Sequence, residues 1–378
     1  MITDPYPSMS LNQNRYLSLD VFRGMDVALM ITVNSLGSSE TYSPLLHAEW
    51  NGFTLTDLVF PTFLFVVGNA MSFSQAKYEA HGEASFLKKV FKRFVIIFLL
   101  GYLMYWFPFF AQGDSGEWHF KPFSDTRIFG VLQRIALCYL FASLIIHHFK
   151  IKGALIFSLL ALIAYRLILS VFGDMSVEGN AGTKLDLWLV GASHMYHGEG
   201  VAFDPEGLLS TLPAIVNVIA GYAAGMFLQR SGKNYETIAK LLMIGAVLVT
   251  SAIAWDLLFP INKKLWTSSY VLLTVGIQMV VLSILVFIIE IAGKKNWTYF
   301  FEVFGRNTLF IYLLSEIFVI TLNTIPVGDG SLSGWIYANL FQSWAGDYNG
   351  SPLFAIWIML SCWAAGYILD KRKIYVKV

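Results

Sequence analysis

Apolar positions in this 378-residue chain are gathered into runs of about twenty, separated by short polar or charged stretches. Within each run the apolar residues cover every helical face rather than recurring at i, i+3 and i+4. That pattern predicts helices surrounded by lipid, not the one-sided helices of a soluble core. The runs lie at 19–36, 54–75, 91–111, 127–147, 153–172, 209–229, 237–258, 266–290, 303–323 and 352–369. A shorter amphipathic stretch at 332–343 is expected to lie at the membrane interface. The fold class this predicts is all-α, a polytopic transmembrane helix bundle of about ten spans.

An even number of spans puts both termini on one side, and lysine and arginine decide which. The N-terminus, 76–93, 148–152, 230–240, 291–306 and the C-terminus hold most of the 26 basic residues. The opposite loops hold Lys121, Arg127, Lys184, Lys263 and Lys264. This bias predicts cytoplasmic ends. The loops then facing the exterior are 37–53, 112–126, 173–208, 259–265 and 324–351, rich in tryptophan, glycine and acids. Long loops of this kind tend to carry function. The chain reads as a single transmembrane domain over 1–378 with a cytoplasmic tail at 1–17 and no cleavable signal peptide.

Composition agrees with the pattern. Hydrophobic residues make up 56% and charged residues 13%, about half the charge of a soluble domain. A net charge of +1 argues against a nucleic-acid partner. Cys138 and Cys362 both fall in apolar runs, without metal-ligand spacing or reason to expect a disulfide.

Ionisable groups inside spans are costly, so each is a functional candidate. They are Arg23, Asp26, Asp57, Arg134, Arg166, Asp256 and Glu316. Arg23 and Asp26 are three apart on one helix and can pair with each other, as a structural ion pair near a helix end or in a functional role. Arg166 and Asp256 lie near span ends and can snorkel. Arg134 lies well inside its span, where it must face another helix, a cavity or an anionic ligand. His81, His147 and His148 read as solvated side chains at cytoplasmic borders. His194 and His197, followed by Glu199, lie in a glycine-flanked loop that promises no rigid metal site, and no metal is expected.

His47 stands apart. From His47 to Asp57 the chain sets an imidazole, Trp50, Asn51, Gly52 and a carboxylate at the exterior mouth of the second span, with Pro61 beyond. The helix start near Thr54 adds unpaired N–H groups and a positive dipole end. An interfacial aromatic belt with a capped helix would account for the composition alone.

This segment, with others, resembles the transmembrane acetyltransferase family of heparan-α-glucosaminide N-acetyltransferase and its bacterial homologues. Ser18-Leu-Asp-Val-Phe-Arg23-Gly24 is similar to the family's first-span signature, with Asn34 at the outer end of that span. His47 through Pro61, Arg127 through Arg134, Asp204 through Leu209, Leu265 through Tyr270, Gly305 through Thr308 and Lys371 through Ile374 match in family order. There are departures. The lumenal N-terminal domain and extra preceding helix of eukaryotic members have no counterpart here. The Asn34–His47 spacing is about two residues longer, and Ser315 stands before Glu316 where the eukaryotic enzyme has histidine. Both of the latter bear on acceptor identity.

The resemblance implies transfer of an acetyl group from cytoplasmic acetyl-CoA to the amine of a glucosamine-type sugar across the membrane, by a homodimer. The catalytic histidine falls on His47 and its asparagine on Asn34. An imidazole, with a pKa near about 6.5, suits deprotonation of an attacking amine or transient acetyl carriage. Asn34 could donate to an oxyanion, and Asp57 could orient the ring. Donor-binding candidates are Ser18, Arg23, Gln133 and Arg134, with Lys92 and Arg93 nearby. Acceptor-binding candidates are Trp50, Asn51, His194, Tyr196 and Glu206. The short N-terminus points to a bacterial inner membrane with His47 facing the periplasm. The rival readings are acyl transfer to another cell-envelope glycan and a small-solute transporter, whose inverted repeats are not visible.

Overall fold

A computed structural model describes residues 16–79, 82–113 and 117–376. His81 and most of the N-terminal tail lie outside the described residues. The long helices are α1 Leu17–Asn34, α2 Leu55–Glu79, α3 Glu83–Trp106, α4 Val131–Phe172, α6 Leu208–Ser231, α7 Tyr235–Asp256, α8 Ser268–Leu285, α10 Thr308–Thr324 and α12 Ser343–Lys371. Short helices α5 Ala181–Leu189, α9 Thr298–Arg306 and α11 Leu332–Tyr337 lie between them. Two hairpins complete the loops: β1 Phe110–Gln112 pairs with β2 Trp118–Phe120, and β3 Pro326–Val327 with β4 Gly330–Ser331.

The protein is mostly helical, and each apolar run falls on helix. Among the described residues, six helices are long and apolar enough to cross a membrane, or seven if α9 and α10 form one bent span. Other runs miss that test for physical reasons. Helix α1 carries Asp20, Arg23 and Asp26, and α3 stays basic up to Arg93. The two runs read as separate spans, 127–147 and 153–172, fall on the two halves of the 42-residue α4, on either side of a break. At 1.5 Å per residue this is ~63 Å, about twice a bilayer's apolar thickness. The element breaks at Lys150, whose φ is 54°. Helix α8 continues through a π-helical segment at Val286–Ile291, and α12 begins with a break at Gly346. The α9–α10 bend is 84°, at Asn307.

Close helix contacts depend on glycine. A Cβ on Gly68 of α2 would sit 1.9 Å from the Val218 carbonyl oxygen, and one on Gly221 of α6 1.9 Å from that of Phe65. The two backbones touch reciprocally. On the outside, α4 beyond its break exposes Ile156, Leu159, Leu160 and Leu167, while α7 exposes Met243 and Val247. Such unpartnered apolar flanks suit lipid.

Some expected pairings differ. Arg23 reaches Asp20 at 3.6 Å instead of Asp26, which lies one turn deeper with its Oδ2 lacking a hydrogen-bond partner. The reverse i, i−3 direction lets Arg23 stay at the helix end. His147 is not simply solvated: its ring stacks on Phe86 and its Nδ1 meets Glu79. Arg166 donates to the Leu258 carbonyl and covers the Phe259 ring, and Asp256 accepts the Ile261 N–H, so both are tied to the α7 end. Cys138 and Cys362 are buried free thiols.

Candidate active site

The chain leaves α1 at Asn34 and re-enters the bundle at α2, and His47 lies on the connection between them. Local chemistry fixes it. Asp57, in the first turn of α2, accepts the N–H of Thr54 at 3.0 Å, closing one half of a capping box. Its Oδ2 also accepts the Ala48 N–H at 3.1 Å. The Thr54 hydroxyl donates to the nearer Leu46 carbonyl at 2.7 Å. Asp57 is 1% exposed, and its Oδ1 lies 2.8 Å from His47 Nδ1. An acceptor-only carboxylate at that distance requires the proton on Nδ1 and leaves the Nε2 lone pair free.

A third group comes from the far half of the chain. Lys263 Nζ lies 3.6 Å from Asp57 Oδ1, and 3.0 and 3.4 Å from the two His47 ring nitrogens. Being nearly equidistant, it sits on the lone-pair axis of neither. Its loop is pinned to the His47 segment: Gly52 N–H donates to the Ile261 carbonyl at 2.8 Å, and Asn262 donates to Asn51 Oδ1 at 3.2 Å. Burial pushes the Lys263 ammonium below its ordinary range, against the pull of Asp57 and Glu206.

His47, Asp57 and Lys263 open on a cavity of about 510 Å³ whose wall also includes Asn34, Tyr196, Glu206 and Glu316. On its far side Arg127 holds Asp204 at 2.6 Å and Glu206 at 2.5 Å, and its guanidinium lies 4.8 Å from the Tyr196 ring centre. Burial opposes ionisation of Glu206, but Arg127 and Arg134 outweigh it and keep the carboxyl below its usual range.

Toward the opposite end of α2 is a second cavity of about 380 Å³, lined by Arg23, Arg93 and Arg306 with Tyr78, Tyr139 and apolar residues. A third, small pocket of about 60 Å³ adjoins both. It shares Leu132 with the arginine-lined cavity and Glu316 with the His47 cavity. Gln133 lines it, fully buried, with neither amide atom hydrogen-bonded. An orphaned buried amide at a pocket is a group that a ligand or water can satisfy.

Comparison with known sequences bears on this arrangement. A sequence model of the catalytic region of heparan-alpha-glucosaminide N-acetyltransferase matches residues 15–259. The chain belongs to this family. It is 27% identical to the heparan-alpha-glucosaminide N-acetyltransferase of Mus musculus, the match covering 97% of this chain and 61% of that one. Against the Homo sapiens enzyme the identity is also 27%, over 96% of this chain and 60% of the other. The chain thus spans about three-fifths of the length of the curated relatives it matches.

In this family member, the fold brings His47, Asn34 and Asp57 to one cavity, together with Tyr196 and Glu206. Other candidates lie elsewhere. Trp50 donates to the Met175 carbonyl and lies under Lys264, which is the residue that reaches the cavity. Asn51 accepts from Asn262, and His194 Nδ1 bonds the Thr126 carbonyl, so both hold loops in place. Ser18 bonds Glu290 at the start of α1 and is not among the residues that line the arginine cavity, whereas Arg23 is. Arg134 lies behind the outer cavity, covering the Trp266 ring at 4.8 Å and donating to the Gly207 carbonyl and Ser210 hydroxyl. Lys263, Lys264 and Glu199 were not among the sequence candidates. The signal for the lysines was a pair in a short loop on the face where basic residues are scarce, and Glu199 was noted only for its place after His194 and His197.

Proposed function

We propose that this chain is a membrane-embedded acetyltransferase that moves the acetyl group of acetyl-CoA to the amine of a glucosamine-type sugar. The observation that carries the reading is the His47–Asp57 pair at one cavity, with an arginine-lined cavity and, sharing a wall residue with each, a small pocket lined by Gln133. The arginines suit the nucleotide phosphates of the donor, and the small pocket suits its long pantetheine arm. Gln133, unpaired at that pocket, suits an amide of the arm. The acidic and aromatic groups of the outer cavity suit a sugar amine and hydroxyls.

In the reaction the amine nitrogen bonds the acetyl carbon and the C–S bond breaks. His47 Nε2 takes the proton that the amine loses and returns it to the departing thiolate. In the two-step form, Nε2 first bonds the acetyl carbon as the C–S bond breaks and the thiolate leaves, and the amine then takes the acetyl group as the N–C bond to the ring breaks, its lost proton passing to the freed Nε2. Asp57 holds the ring orientation in both, and Asn34 offers an N–H to the oxyanion. Topology belongs to the same reading. Ten crossings with both ends in the cytoplasm put His47 on the opposite face from the coenzyme pool, supported by the lysine and arginine distribution and by helix at every apolar run.

The test uses detergent-purified protein with labelled acetyl-CoA and glucosamine. Wild type is expected to form N-acetylglucosamine, and His47→Ala to lose about 10²–10⁴-fold in rate. Undiminished activity in the variant, or no transfer to any amino sugar by wild type, contradicts the proposal. Acid quenching after acetyl-CoA alone, followed by peptide mass analysis, separates the two routes by the presence or absence of acetyl on His47.

A further inference from the structure

Helix α2 runs from Leu55, beside His47, to Glu79, ~36 Å away along its axis. At that far end α2, α3 and α4 meet in a cluster that acetyl transfer does not use. Glu83 in the first turn of α3, with His147 and His148 of α4, each bring one ligating atom within 4.8 Å of the others. We infer that this cluster is a divalent-metal site of the zinc class, with Glu83, His147 and His148 as its protein ligands.

The surroundings are those of a built site. His147 Nδ1 lies 2.9 Å from Glu79 Oε1, which holds a proton on Nδ1 and makes Nε2 the ring's donor to an ion. A carboxylate behind a ligating imidazole is the usual outer support of metal-bound histidine. Glu79 is itself held: the Gln75 amide donates to the same oxygen at 3.1 Å. The His147 ring is stacked on the buried Phe86 ring, 4.3 Å between centroids at 20°. A merely solvated histidine at a helix end requires neither contact. Glu83 and His148 are exposed, and the His148 ring lies edge-on to that of His147, 4.9 Å between centroids. A tetrahedral ion at 2.0–2.1 Å holds its ligand atoms about 3.3 Å apart, so the approach needed is small. Two imidazoles and one carboxylate match the donors that zinc prefers, with the fourth position open to water.

The site has a structural consequence. Tyr78, Arg93 and Tyr139, from the same three helices, line the arginine-lined cavity. An ion bound by α3 and α4, with α2 supporting it, ties the helix ends at one side of that cavity. This inference stands independently of the acetyl-transfer reading.

The experiment uses the full chain without an affinity tag, purified in detergent and stripped with chelator. Zn²⁺ is titrated by calorimetry and Co²⁺ by visible absorption. Wild type is expected to bind one ion per chain and to show the intense d–d bands of four-coordinate Co²⁺. His148→Ala and Glu83→Gln, both at exposed positions, are expected to weaken binding at least tenfold while leaving the metal-free melting temperature unchanged. Glu79→Gln is expected to weaken it about 10–100-fold. The double substitution His194→Ala, His197→Ala serves as control and is expected to bind as wild type. No saturable binding by wild type, or wild-type affinity in both His148→Ala and Glu83→Gln, overturns the inference.

Discussion

One carboxylate, Asp57, serves both the helix and the imidazole. Oδ2 closes the start of α2 by accepting the Thr54 and Ala48 N–H groups, and Oδ1 fixes the His47 tautomer. Asp57→Asn keeps the shape but offers the ring an ambiguous partner. It is expected to lower kcat for acetyl transfer about 10²–10⁴-fold with KM for the sugar little changed. Steady-state kinetics checks this, and an unchanged kcat would assign Asp57 to the helix alone. Asp186 of α5 offers a pH test. Burial, with Asp204 adding, pushes its carboxyl up to about 7, against the Leu208 N–H and Arg134. A folded pKa above the unfolded value of about 3.9 means the stability contribution is full below that value and is lost as pH rises through about 7. Thermal unfolding of wild type is therefore expected to lose ground between pH 5 and pH 8, and Asp186→Asn to lose less. Parallel curves would show that Asp186 does not titrate in that window. The half of the site made of neighbours was legible at this scale, since His47 and Asp57 are ten apart. Lys263 was not, because its place depends on Asn262 and Gly52 joining segments more than two hundred residues apart.

Elements were legible wherever apolarity alone defines them, and less so where a distant tie shapes them. The break in α4 follows from length, because 42 residues exceed one bilayer crossing. The 84° bend between α9 and α10 has no local signature. There Asn307 donates to the Ile374 carbonyl at 3.0 Å and accepts the Val376 N–H at 2.9 Å. The α2–α6 crossing is set by glycine, which hydropathy counts as nearly neutral. Gly68→Ala places a methyl against the Val218 carbonyl and must spread the helices. It is expected to destabilise the protein by about 1–3 kcal/mol, read as a lower melting temperature in detergent. Gly334→Ala on α11, whose Cβ meets only the Ser331 hydroxyl at 3.6 Å, serves as control. Equal melting of the two variants would remove close packing as the reason for Gly68.

At the scale of the whole molecule, two cavities each share a wall residue with one small pocket: Leu132 on the arginine side and Glu316 on the His47 side. On the proposed function the bundle serves as a passage as well as a scaffold, and α1, which carries Asp20, Arg23 and Asp26, contributes Arg23 to one cavity and Asn34 to the other. The most direct test of that account is sided. Protein is reconstituted into sealed vesicles holding glucosamine, and labelled acetyl-CoA is supplied only outside. The account predicts labelled N-acetylglucosamine inside the vesicles with wild type and none with His47→Ala. Product formed only when both substrates share one side, or wild-type yield from His47→Ala, would contradict it.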